Sequence, residues 1–79
     1  MSKKRRSAKY VVRLSTEERS ELEGMIGKGR DAAYRLLKAR ILLKADVGPN
    51  GDGWDDARIA EALETSASTA FRTRRQLVE

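Results

Sequence analysis

The chain has 79 residues, of which 17 are Lys or Arg and 12 are Asp or Glu, so its formal net charge is +5. It contains no Cys and no His, which excludes disulfides, thiolate zinc sites, cysteine nucleophiles and histidine-based catalysis. The length predicts one small domain with a thin core, and no apolar run is long enough to span a membrane. We therefore expect a cytoplasmic binding protein, not an enzyme, with no catalytic residues, no metal and no other cofactor.

The first nine residues have no apolar periodicity and include Lys3 and three candidate DNA-binding residues, Lys4, Arg5 and Arg6. This composition predicts a disordered basic arm over 1–9. Such an arm would follow DNA phosphates or enter the minor groove, or it would only keep the chain soluble. The next five residues, 10–14, form an extended apolar stretch that is too short for a sheet, and the folded domain is expected over 10–79.

Two helices are expected in the first half of that domain. Ser15 and Glu18 have the spacing of a capping box and predict a helix over about 16–27, which the segment Gly27-Lys28-Gly29 ends. Asp31 is the expected N-cap of a second helix over about 31–47, which Gly48 and Pro49 end. One apolar stripe of this second helix is formed by Ala32, Leu36, Ala39, Leu43 and Val47. A second apolar set lies outside that stripe and consists of Leu37, Ile41 and Leu42. This set is either covered by 10–14 and the first helix or open for dimerisation.

Two shorter helices are expected after the loop 48–53. Asp55 is the predicted N-cap of a helix over 56–63, with Trp54 packed at its start, and Ser66 is the predicted N-cap of a helix over 67–78. Ala60 is small where the last helix would cross its predecessor, as a helix-turn-helix requires. The predicted fold is thus all-α, a small bundle of about four helices that contains a homeodomain-like helix-turn-helix.

The start of the last helix carries the residue types that read DNA. Short polar side chains allow a helix to approach base edges, and an Arg one turn later reaches guanines or phosphates. Unpaired N–H groups at the helix start would hold a phosphate. We therefore interpret six residues as candidate DNA contacts, with Arg74 as a further candidate: Ser66, Ala67, Ser68, Thr69, Arg72 and Arg75. Phe71 is expected to pack and not to contact a base.

The segment Arg58-Ile59-Ala60-Glu61-Ala62-Leu63, followed by Ser66-Ala67-Ser68-Thr69, resembles the first helix-turn-helix of bacterial insertion-sequence transposases of the mariner-like superfamily. The segments 10–19 and 39–46 are similar to the opening helices of that family, so the likeness covers 10–78. It implies a domain that binds the terminal inverted repeat of the element, with the last helix in the major groove. Complete transposases of this kind continue into a catalytic domain with three carboxylates, so we expect a truncated transposase without that domain.

The chain departs from the family pattern around the turn. The family usually has Gly at the position of Glu64, because a residue at this point of the turn must adopt a positive φ. Thr65 replaces a β-branched aliphatic residue. Ala70 and Thr73 replace larger apolar residues on the inner face of the last helix.

Double-stranded DNA is the expected partner, which implies association with the nucleoid. One alternative is a protein-interaction remnant that pairs with a full-length transposase through the second helix, and a homodimer is also open. Another alternative is a basic helix that binds RNA or an anionic membrane surface non-specifically. No membrane partner and no small-molecule substrate are expected.

Overall fold

The computed structural model describes residues 10–79, and within that range the chain forms four helices and no strand. The helices are α1 (Thr16–Lys28), α2 (Ala33–Ala45), α3 (Asp56–Leu63) and α4 (Ala67–Val78). The all-α fold is therefore confirmed. None of these four helices combines the length and the apolarity needed to cross a membrane. The basic arm predicted over 1–9 lies outside the described residues.

Side-chain caps begin α1 and α3 at the predicted positions. The Ser15 hydroxyl accepts a hydrogen bond from the Glu18 N–H at 3.0 Å, and the Glu18 carboxylate accepts one from the Ser15 N–H at 2.8 Å. At α3, the Asp55 carboxylate accepts from the Arg58 N–H at 2.8 Å. Gly29 ends α1 with a left-handed φ of 63°. The capping box, the Asp55 cap and the glycine stop are therefore confirmed.

The predicted start of α2 is wrong by two residues. Its N-cap is Ala32, which makes no side-chain cap, and the helix begins at Ala33. The Asp31 carboxylate instead accepts from the adjacent Ala32 N–H at 2.8 Å and pairs with Arg35 Nε at 3.5 Å. Ala32 is exposed and does not line the core. Asp31 thus contacts the start of the helix from outside the N-cap position.

The predicted end of α2 is also wrong by two residues. The helix stops at Ala45, because Asp46 leaves the helical conformation with φ −53° and ψ 119°. The Val47 N–H then donates to the Val12 carbonyl at 2.9 Å. Val47 is 43% exposed and is not part of the apolar stripe of the helix. A contact with the extended segment 10–14 therefore replaces the last helical turn.

The core lies where α2 meets α3, α4 and the extended segment 10–14. Its buried members are Val12, Ile41, Leu42, Ala45, Ile59 and Ala70. Partly buried side chains pack around it: Leu14, Leu22, Leu37, Trp54 and Leu63. The second apolar set of α2 therefore belongs to the core, but its cover is only partly the expected one: 10–14 contributes Val12, α3 and α4 contribute Ile59 and Ala70, and α1 contributes only the half-buried Leu22.

Asp46 is a buried carboxylate that ties the end of α2 to its surroundings. It is 1% exposed, and its Oδ1 accepts hydrogen bonds from the N–H groups of Leu14 (3.1 Å) and Gly48 (2.8 Å). Its Oδ2 accepts from Arg19 Nη1 at 2.9 Å. Gly51 passes so close that a Cβ there would overlap the Asp46 carbonyl. Arg19 supplies the opposite charge, and two backbone N–H groups donate to the carboxylate. The buried charge of Asp46 is therefore compensated inside the protein.

Candidate nucleic-acid interface

The turn between α3 and α4 is three residues long and contains a strained residue. Glu64 has φ 58° and ψ 45°, the left-handed conformation that favours glycine. Its N–H donates to the Glu61 carbonyl at 3.4 Å, and the Thr65 N–H donates to the Ala60 carbonyl at 2.9 Å. The expectation that this turn requires a positive φ is therefore confirmed, although a glutamate adopts it.

The beginning of α4 is capped by its own side chains. The Ser66 hydroxyl accepts from the Thr69 N–H at 3.1 Å and lies 2.9 Å from the Thr69 hydroxyl. Ser66 is exposed and Thr69 is half-buried. Both of these candidate contacts thus already have hydrogen-bond partners within the cap. Ala67 and Ser68, which follow the cap, are exposed.

The inner face of α4 is formed by small residues at helical spacing. Ala70 is fully buried and Thr73 is 4% exposed. The Thr73 hydroxyl donates to the Thr69 carbonyl at 2.8 Å, so the buried hydroxyl is satisfied within the helix. This is the face that the resemblance to the transposase family led us to expect in the interior.

Arg74 belongs to the fold and not to the exposed surface. It is 8% exposed, and its Nε and Nη2 donate to the two carboxylate oxygens of Asp56, both at 2.8 Å. Its Nη1 donates to the Tyr10 carbonyl at 2.9 Å. Its assignment as a further DNA contact is therefore wrong, because a paired and buried guanidinium is not available to a phosphate.

Aromatic packing joins the segment 10–14 to the same side of α4. The rings of Tyr10 and Phe71 meet edge to face, with their centroids 5.5 Å apart. Phe71 is half-buried, so it packs as expected. Together with Arg74, this contact fixes the beginning of the described chain against α4.

The outer face of α4, defined here as Ser68, Arg72 and Arg75, is exposed. The spacing of i, i+4 and i+7 brings these three side chains onto one side of the helix. Arg72 makes no ion pair or hydrogen bond with any other residue of 10–79. Arg75 has a single long contact, 4.0 Å from its Nε to Glu79 Oε1. Two cations are thus available side by side on this face.

The remaining predicted contacts, Lys4, Arg5 and Arg6, lie outside the described residues. Their composition nevertheless matters, because residues 1–9 hold five of the 17 Lys and Arg and no acid. The rest of the chain therefore has twelve cations against twelve acids and no net charge. Electrostatic attraction by the described domain thus depends on where its cations lie and not on their number.

The acids of the domain lie mainly on α1 and around α3, where Asp55, Asp56, Glu61 and Glu64 are found. Four glutamates lie on the exposed surface of α1: Glu17, Glu18, Glu21 and Glu23. Helix α1 packs on α2, and none of its Cα atoms lies within 8 Å of a Cα atom in α3 or α4. Within residues 10–79, no three acidic side chains are grouped closely enough to hold a metal ion.

No protein-family model, curated protein or solved structure matches this chain.

Proposed function

We propose that this chain binds double-stranded DNA through the helix-turn-helix that α3, the turn 64–66 and α4 form, with α4 in the major groove. The observation that carries the proposal is the division of α4 into two sides. Its inner side is fixed by Ala70, Thr73 and the Arg74–Asp56 ion pair. The outer face, with Arg72 and its neighbours, is exposed to an incoming partner.

Arg72 is the residue that we expect to read a base. Its guanidinium has no partner within 10–79, so DNA binding would break no intramolecular ion pair. A bidentate contact to a guanine is worth about 1–3 kcal/mol of discrimination against other bases. Ser68 is short enough to allow close approach, and Arg75 is placed one turn further on for a phosphate. The N–H groups of Ala67 and Ser68 at the helix start would hold a second phosphate.

The basic arm would add affinity that does not depend on sequence. Tyr10, the residue that directly follows the arm, is held against α4 by its carbonyl and its ring. Arg6 and Lys4 are four and six residues from Tyr10. A fully extended chain of four to six residues spans at most about 13–22 Å. The arm therefore begins close enough to α4 to contact the same duplex. Each phosphate that it neutralises would make binding more sensitive to salt.

The end sequence of an insertion element is the DNA target that the resemblance to mariner-like transposases favours. In this proposal the chain acts as the DNA-binding part of a transposase and resides on the nucleoid. Pairing with a full-length transposase through the second apolar set of α2 has less support, because Ile41 is fully buried and Leu42 is 9% exposed.

The test is selection of duplexes from a randomised pool, followed by binding measurements with the selected sequence. We expect a short motif to be enriched, and Arg72→Ala to weaken its binding by about 10- to 100-fold. Arg30→Ala is the matched control, because Arg30 is also exposed and has no ion pair within 10–79 but lies between α1 and α2. Equal weakening by the two variants, or equal binding of scrambled duplex or RNA, would contradict the proposal.

A further inference from the structure

A groove between α1 and α3 belongs neither to the core nor to the outer face of α4. Both helices pack on α2 without approaching each other, which leaves a cavity of about 400 Å³ above α2. Its floor is formed by Arg40, Leu43 and Lys44. The spacing of i, i+3 and i+4 brings these three onto one side of α2. This is a different side from the one that Ile41 and Leu42 bury.

The groove exposes aliphatic surface from three helices. Ile26 of α1, Leu43 of α2 and Leu63 of α3 all line it, and each is only half-buried. Three aliphatic side chains that converge in a concavity of this size match the apolar lining of sites that bind ligands or peptide side chains. The groove can therefore accept at least one aliphatic side chain.

The groove also holds one cation whose charge is not compensated. Arg19, at its edge, is paired with Asp46 and Glu23, and Lys44 is paired with Asp52 at 3.3 Å. Arg40 is exposed and makes no ion pair or hydrogen bond with any other residue of 10–79. An Arg beside aliphatic surface is suited to a carboxylate that accompanies an apolar side chain.

We propose that this groove docks an acidic amphipathic segment of a partner protein. A Leu or Ile of that segment would insert among Ile26, Leu43 and Leu63. A Glu or Asp one turn away would accept two hydrogen bonds from the Arg40 guanidinium. DNA is a poorer occupant, because a phosphate would leave the side chains of Ile26, Leu43 and Leu63 unmatched. This inference does not depend on the proposed DNA binding.

The test is a nuclear magnetic resonance titration of the full chain with an N-acetylated helical peptide of about twelve residues, with Leu and Glu at i, i+4 spacing. We expect saturable shifts at the amides of Ile26, Leu43 and Leu63. Arg40→Glu should weaken binding by about tenfold or more, and replacing the peptide's Glu by Gln should weaken it several-fold. Arg30→Glu is the charge-matched control and should leave binding unchanged.

Several results would overturn the proposal. They are the absence of saturation at millimolar peptide, equal binding by Arg40→Glu, and shifts that fall on α4 instead. A dimer that Arg40→Glu dissociates would assign the groove to a second copy of the chain. Shifts in the groove on addition of duplex DNA would assign it to nucleic acid. Failure here is distinguishable from failure of DNA binding, because Arg72→Ala should retain peptide binding and Arg40→Glu should retain duplex binding.

Discussion

Helices α1 and α4 have nearly the same length but opposite roles in the domain. Helix α1 has no buried residue and carries acids on its exposed surface, whereas α4 buries Ala70, Thr73 and Arg74. Each helix has one largely buried Arg–Asp pair to another part of the chain, Arg19–Asp46 for α1 and Arg74–Asp56 for α4, and α4 is also held by the Tyr10 carbonyl and ring. In the proposed DNA complex, α4 would present its outer face to the duplex, and the phosphates would repel the exposed glutamates of α1.

The largest effect is expected from the contact that fixes α4. Arg74→Ala removes one partner of a largely buried ion pair and should cost about 3 kcal/mol of unfolding free energy. A change in α1 that removes only a local cap, Ser15→Ala, should cost about 1 kcal/mol. Thermal and urea unfolding followed by circular dichroism measure both. Equal losses would mean that the Arg74–Asp56 pair contributes no more to stability than a local helix cap.

A smaller effect is expected from the arm that begins beside α4. Replacing Lys4, Arg5 and Arg6 together by Ala should lower duplex affinity and reduce the slope of log affinity against log salt by about three. The selected motif should stay the same, because the arm contacts phosphates. Binding titrations at several salt concentrations give the slope. An unchanged slope would show that these three cations do not reach DNA.

A substitution in the turn between α3 and α4 is expected to stabilise the domain. Glu64→Gly should raise the unfolding free energy by about 1 kcal/mol, because glycine adopts the left-handed conformation without strain. Glu61→Gly, in the middle of α3, is the control and should lower it by about 1 kcal/mol. Urea unfolding distinguishes the two signs. A destabilised Glu64→Gly would show that the glutamate side chain is needed at the turn.

The smallest effect is expected on α1. Glu21→Gln removes one acid from a helix that lies away from α4, so duplex affinity should rise by less than about twofold. The same binding assay measures it at physiological salt. A tenfold gain would indicate that α1 lies next to the duplex, which would contradict the division between the two helices.

Local signals in the sequence predicted most of the fold. Ser15, Asp55 and Ser66 begin their helices because each cap is satisfied within three residues along the chain. The C-terminal end of α2 escaped prediction because it depends on a tertiary contact, the Val47 N–H bonded to the Val12 carbonyl. No short-range pattern indicates such a pairing.

The candidate interface was predictable to the same extent. Helical spacing separates Arg72 from the buried Ala70, and the exposure of Arg72 agrees with that pattern. Arg74 follows Ala70 at i+4, which indicates an inward position, but its partners Asp56 and Tyr10 are 18 and 64 residues away. Asp46 has one local signal, a carboxylate two residues before Gly48 at the end of an apolar helix, but its pairing with Arg19 was not visible in the sequence.

Shift mapping of the chain bound to its selected duplex tests the role of α4 most directly. We predict that the largest changes in amide resonances fall on Ser68, Thr69 and Arg72, with minor changes along α1. Changes spread evenly over the domain, or concentrated on α1, would contradict the assignment of the outer face of α4 as the surface that contacts DNA.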